Sequence, residues 1–133
     1  METYNVTAIS LTSRSKLPLT IEADEAETSE NIVLRIQIDG DIISASNEGY
    51  FQAYQEIRDT LLQKGYGLKC AGSKLNAVQS SMASATDKVY MVTLGKQAML
   101  KDLVSLYDNA NIDKFPNTKE QNEFFKKWSL SLG

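Results

Sequence analysis

The chain has 133 residues, of which 42% are apolar and 23% charged, with a net charge of −3 and a pI near 5.0. No apolar run approaches the roughly 20 residues that span a bilayer, and a lone cysteine, Cys70, excludes an internal disulfide. There is no histidine, which removes the commonest general base, the commonest zinc ligand and the usual serine or cysteine triads.

The opening METYNVTAISLTSRSK lacks a basic start followed by a continuous apolar core, so no secretion signal is expected and a cytoplasmic setting is. YNVTAISLT alternates loosely and reads as a strand. After Pro18 comes EADEAETSE, with Glu22, Asp24, Glu25, Glu27 and Glu30 inside nine residues. On its own this stretch reads as a solvated loop. NIVLRIQIDGDIISAS follows with a clear period of two: Ile32, Leu34, Ile36 and Ile38 point one way, Val33, Arg35 and Gln37 the other. Asp39-Gly40 supplies a tight hairpin turn, and Asp41 to Ser44 begins the return strand. DGD is not a calcium loop, because the further oxygen ligands and distal glutamate are missing.

The period then changes. Phe51, Tyr54, Ile57, Leu61 and Leu62 recur at three and four, predicting an amphipathic helix of about four turns. Ser46 or Asn47 is expected to cap it and Gly65 to end it. YGLKCA predicts a strand, and the small, polar residues from Gly72 to Asp87 a loop near one edge of the sheet, with room for a short turn of helix. KVYMVTLG predicts another strand. In QAMLKDLVSLYD, residues Leu100, Leu103, Val104 and Tyr107 fit a helical face; LVSLY is also strand-compatible, and helix is preferred over 98–107. TKEQNEFFKKWSLSLG closes with a helix, the Thr118–Gln121 spacing suggesting a capping box and Phe124, Trp128 and Leu132 a core-facing stripe. The whole, residues 1–133, is expected to form one α+β domain. Its antiparallel sheet would have about five strands, with two or three helices on one face.

GYGLKCAGSK invites a nucleotide reading, because Gly67 and Gly72 stand five apart and a lysine follows. A phosphate-binding loop needs lysine directly after the second glycine and its strand before the first. Here Ser73 precedes Lys74, and the apolar run Tyr66, Leu68, Cys70 lies between the glycines. A short strand and a turn are expected instead, with Cys70 a buried structural thiol. Ser80, Ser81 and Ser84, with Lys69, Lys74 and Lys88 nearby, read as a polar loop rather than an anion site. No constellation specifies a reaction, so no enzyme activity, cofactor, metal or nucleic-acid binding is expected.

Residues from about 31 to 132 resemble a family of small bacterial proteins that includes immunity proteins of contact-dependent growth inhibition and related toxin systems. The resembling features are the helix with Phe51 and Leu61-Leu62, GYGLKCAGS, the SSM at 80–82, YMVTLGKQAMLKDLVSLYD and TKEQNEFFKKWSLSL. The resemblance implies a protein that binds and neutralises a cognate toxin domain, a nuclease being the expected kind, and brings no catalytic residues. Charge is compatible with it: residues 1–60 hold eleven Asp/Glu against four Lys/Arg, and residues 61–133 six against ten. An acidic half attracts basic partners and speeds their association. The candidate partner-binding residues, chosen by charge, are Asp24, Glu25, Glu27 and Glu30, with Asp39, Asp41 and Glu48 at the hairpin and helix start. The alternative is a small regulatory or ligand-binding domain that uses the 72–87 loop.

Overall fold

A computed structural model describes residues 1–133 as an α+β fold. A five-stranded antiparallel sheet, in the order β4-β3-β2-β1-β5, is built from β1 (Glu2–Ser10), β2 (Lys16–Glu25), β3 (Ile32–Ile38), β4 (Asp41–Asn47) and β5 (Tyr66–Leu68). β1 to β4 form a meander. Helix α1 (Tyr50–Gln63) then crosses one face and delivers the chain to the far edge, where β5 pairs with β1. A second, three-stranded antiparallel sheet joins β6 (Ala77–Val78), β7 (Lys88–Met91) and β8 (Leu103–Ser105), and helix α2 (Thr118–Ser131) ends the fold. No helix is long and apolar enough to cross a membrane.

The period of two on β3 is realised as expected. Leu34, Ile36 and Ile38 are buried against α1 together with Val6, Ala8, Ile21, Ala23 and Ile43. The opposite face carries Asn5, Thr20, Glu22, Arg35, Gln37 and Ile42 around a shallow groove, and no helix covers it. Asp39 and Gly40 both take positive φ, 51° and 82°, which is the backbone of a two-residue hairpin turn. Gly65, at φ 93°, ends α1 as predicted.

Five expectations need correction. Residues 16–25 are a strand, so Glu22, Asp24 and Glu25 are ladder residues and not part of a loop. Neither Ser46 nor Asn47 caps α1. Gly49 is its N-cap, and Asn47 Oδ1 instead accepts the Gly49 N–H at 3.2 Å. The 72–87 segment has the short helical turn allowed for, at Ser81–Ala83, but it also contains a strand, β6. Residues 100–102 are a turn and 103–105 a strand, because Leu103 and Val104 pair with Tyr90 and Val89 of β7. In α2 the capping box runs from Asn117 to Glu120, one residue earlier than the Thr118–Gln121 spacing suggested.

α1 is buried on more than one side. Tyr54, Ile57 and Leu61 are wholly enclosed, as is the polar Arg58 at 0% exposure, and Gln55 is buried at 7%. α2 is the opposite: its buried residue is Gln121, Phe124 and Trp128 are half-buried, and Leu132 is exposed. The stripe expected to face the core mainly covers an edge, where Trp128 Nε1 donates to the Lys96 carbonyl at 2.9 Å.

Candidate functional site

The start of α1, the 77–84 segment and the first turns of α2 enclose a cleft of about 470 Å³. That size lies in the usual range of ligand sites, about 300–1,000 Å³. Its apolar walls include Phe51, Ala77, Val78 and Phe125, and its polar lining includes Gln52, Gln55, Ser80, Ser81, Ser84 and Gln121. Glu48 is the one charged residue in the lining.

The cleft holds its shape because the 79–84 segment caps α1 from outside. With no side-chain cap of its own, α1 donates the Tyr50 N–H to the Ser84 carbonyl at 2.7 Å and the Phe51 N–H to Gln79 Oε1 at 3.2 Å. Gln79 is held in turn by the carbonyls of Thr86 and Lys88, each at 2.9 Å. Behind the cleft a buried polar network joins the helices. Gln121 Nε2 donates to the carbonyls of Gly72 and Lys74, and its Oε1 accepts from Gln55 Nε2 at 3.0 Å and Arg58 Nη2 at 2.6 Å. Asp59 Oδ1 accepts from both Arg58 Nε and the Thr118 N–H, placing a carboxylate at the positive end of α2.

The glycine segment makes no anion cradle. The amides of residues 71–74 are spent on the carbonyls of Asp108, Leu106, Cys70 and Ala71 in turn. The two glycines serve packing: a Cβ at Gly67 would lie 2.5 Å from the Phe115 ring, and one at Gly72 would lie 2.9 Å from the Tyr54 ring. Cys70 is fully buried, and burial pushes its thiol up to about 12. Ser80, Ser81 and Ser84 do line the cleft, but no lysine joins them; Lys69 instead donates to Asn109 Oδ1 at 3.2 Å.

The candidate acidic residues fall at opposite ends of the sheet. Glu25 pairs with Ile32 and Ile32 with Asn47, so Asp24, Glu25 and the 26–31 turn bearing Glu27 and Glu30 lie at the same end as Glu48. Glu2 joins Asp24 and Glu25 around a second, smaller hollow beside Tyr50. No lysine or arginine makes an ion pair with any of these carboxylates, and no three such side chains gather closely enough to hold a metal ion. Asp39 and Asp41 are seven residues of β3 away, about 20 Å at the rise of a strand. Both have internal partners: Asp39 Oδ2 accepts from the Tyr66 hydroxyl at 3.2 Å, and Asp41 pairs with Lys64 at 3.6 Å.

Beneath the acidic end, Tyr4 stacks on Tyr107, and the hydroxyls of Tyr50 and Tyr107 meet at 3.1 Å. Burial raises the pKa of both Tyr50 and Tyr107.

Gln55 and Arg58 went unread in the sequence, and Gln121 was read only as a capping-box residue. Each is a polar residue on an amphipathic helix, where the ordinary expectation is a solvated face. One signal was available: Arg58 falls beside Ile57 and one turn from Tyr54 and Leu61, on the flank of the apolar stripe.

An α+β fold with a polar cleft at one helix start and an unpaired acidic end is the class these features define. No protein-family model matches the chain, and no curated protein matches it either.

Proposed function

We propose that this chain is an immunity protein, which binds a cognate toxin domain and neutralises it by occupying its surface rather than by chemistry. The observation that carries the reading is the acidic end, where Glu2, Asp24, Glu25, Glu27, Glu30 and Glu48 have no cationic partner. Such a surface attracts a basic protein, and a toxin domain that acts on nucleic acid is basic where it holds its substrate. Asp39 and Asp41, already engaged, contribute less. The resemblance of residues 31–132 to immunity proteins supports the same reading. Its test is co-expression with any toxin domain that the neighbouring reading frame encodes: cells carrying the chain survive, and the two proteins copurify. Death of the co-expressing cells, or no complex, would reject it.

A second reading is favoured by the cleft. The 77–84 segment forms one of its walls, so a ligand-binding role for the 72–87 region has a concrete site.

A further inference from the structure

Gln55 lines the cleft with 7% of its surface exposed, and its orientation is dictated by its neighbours. The carbonyls of Gly72 and Lys74 can only accept, so Gln121 must turn Nε2 toward them, at 2.9 and 2.8 Å. Gln121 Oε1 then faces Arg58, which can only donate, and Gln55. Gln55 must therefore offer Nε2, and its Oε1 is left with no protein partner. That oxygen is not sealed in: Arg58 Nη1 is the one fully buried side-chain polar atom without a hydrogen bond. Gln55 Oε1 accordingly opens on the cleft.

One turn earlier, at the open N-terminal end of the same helix, is a matching donor. The N–H groups of Tyr50 and Phe51 are capped by Ser84 and Gln79, whereas that of Gln52 has no acceptor. The cleft thus presents an acceptor and a donor on one wall and the apolar surfaces of Phe51 and Phe125 beside them. Glu48 and the lack of any lining Lys or Arg disfavour phosphate and carboxylate ligands. Phe125 of the lining is 43% exposed, and Met82, next in the chain to the lining residue Ser81, is 97% exposed. Exposed flexible and aromatic side chains of this kind suit side chains of a polypeptide.

We infer that the cleft binds an extended peptide segment of a partner protein. A backbone N–H of the segment donates to Gln55 Oε1, a carbonyl accepts from the Gln52 N–H, and an apolar side chain lies against Phe51 and Phe125. The nature of the occupant rests on the protein-binding reading above; the donor–acceptor pair does not.

The test titrates the ¹⁵N-labelled protein with three probes: N-acetyl-Ala-Phe-Ala-amide, N-acetyl-phenylalaninamide and the anionic N-acetyl-phenylalanine. Saturable shifts are expected at the Gln52 backbone amide and the Gln55 side-chain amide, with a Kd on the order of 1 mM for the tripeptide. The single amide should bind about threefold more weakly, and the carboxylate not at all. Gln55→Leu should weaken the tripeptide about fivefold or more. Because that change also removes a donor from Gln121, Ser81→Trp at the exposed wall serves as a second block and should abolish binding with the fold intact. Absence of saturable shifts, equal binding of the carboxylate, a tripeptide no tighter than the single amide, or undiminished binding by Ser81→Trp would each overturn the inference. Peptide binding without toxin neutralisation would sink the immunity reading and leave this one standing. Neutralisation without peptide binding would do the reverse.

Discussion

Arg58 of α1 donates its Nη2 to Oε1 of Gln121 on α2 at 2.6 Å, and the two residues are 0% and 2% exposed. A guanidinium this deep is tolerable only while its hydrogen bonds are made. Asp59 supplies the counter-charge, Thr118 and Gln121 the neutral acceptors, and Nη1 remains without a partner. The pair therefore does two jobs. It docks a helix whose apolar stripe is at most half-buried, and it sets the amide polarity that leaves Gln55 Oε1 facing the cleft.

Gln121→Leu should accordingly destabilise the fold by about 2–5 kcal/mol, since it takes an acceptor from a buried guanidinium and leaves the Gly72 carbonyl without a donor. Arg58→Met should cost less, because the charge leaves with its needs and the volume is largely kept. Urea unfolding of the two variants gives the comparison. An Arg58→Met variant less stable than Gln121→Leu would show that the charge is well solvated in place.

The sequence revealed elements whose local period agrees with their tertiary surroundings, and missed those where it does not. β3, its Asp39-Gly40 turn and α1 have an unambiguous period, so they were legible. β2 was hidden by Pro18 and by acidic residues, although Leu17, Leu19, Ile21 and Ala23 do alternate. β3 pairs with β2 only from Ile21 to Glu25, so Pro18 stands where β2 has a neighbour on one side alone and its missing N–H is tolerated. Leu103 to Tyr107 satisfied both periods, and pairing with β7 decided for strand. The cleft was illegible because its key atom, Gln55 Oε1, is defined by a chain of acceptors and donors distant in sequence.

Gly67 provides a sharper check on the glycine segment. A Cβ there would fall 2.5–2.7 Å from three atoms of the Phe115 ring. Gly67→Ala should therefore cost about 1–3 kcal/mol through overpacking, while a Phe115→Ala background should relieve most of that clash. A double-mutant cycle measured by thermal unfolding tests the coupling. Additive losses would mean that the glycine is required for another reason.

Alkaline pH should unfold the protein. Burial raises the Cys70 thiol to about 12 and raises Tyr50, Tyr54 and Tyr107 as well. These groups ionise more readily in the unfolded chain, from about 8.5 for the thiol and about 10 for the phenols. The unfolded state therefore loses protons first, and stability, complete below about pH 8.5, falls as pH rises toward 12. In a Tyr66→Phe, Tyr90→Phe background, which removes two tyrosines that are not fully buried, circular dichroism and tyrosinate absorbance followed together should change in one cooperative step. Thiol modification of the native protein at pH 8 should be far slower than that of the unfolded chain. Gradual tyrosinate formation ahead of unfolding would contradict the enclosure of these side chains.

The two ends of the sheet should behave differently toward a toxin. Asp24, Glu25, Glu27 and Glu30 have no cationic partners, so their field extends into solvent. Replacing all four by their amides should slow association with little change in dissociation, and added salt should reproduce the loss in the unmodified protein. Asp41 already faces Lys64, and Asp39 accepts from the Tyr66 hydroxyl. They stand about 20 Å from the other end, beyond the ~8 Å Debye length at physiological salt. Asp39→Asn with Asp41→Asn should leave the association rate within about twofold, and the exposed pair with Lys64 should cost at most about 1 kcal/mol of stability. Stopped-flow binding at two ionic strengths separates the cases. A fall in association rate confined to the Asp39 and Asp41 variant would move the docking surface to the hairpin turn and overturn the assignment to the acidic end.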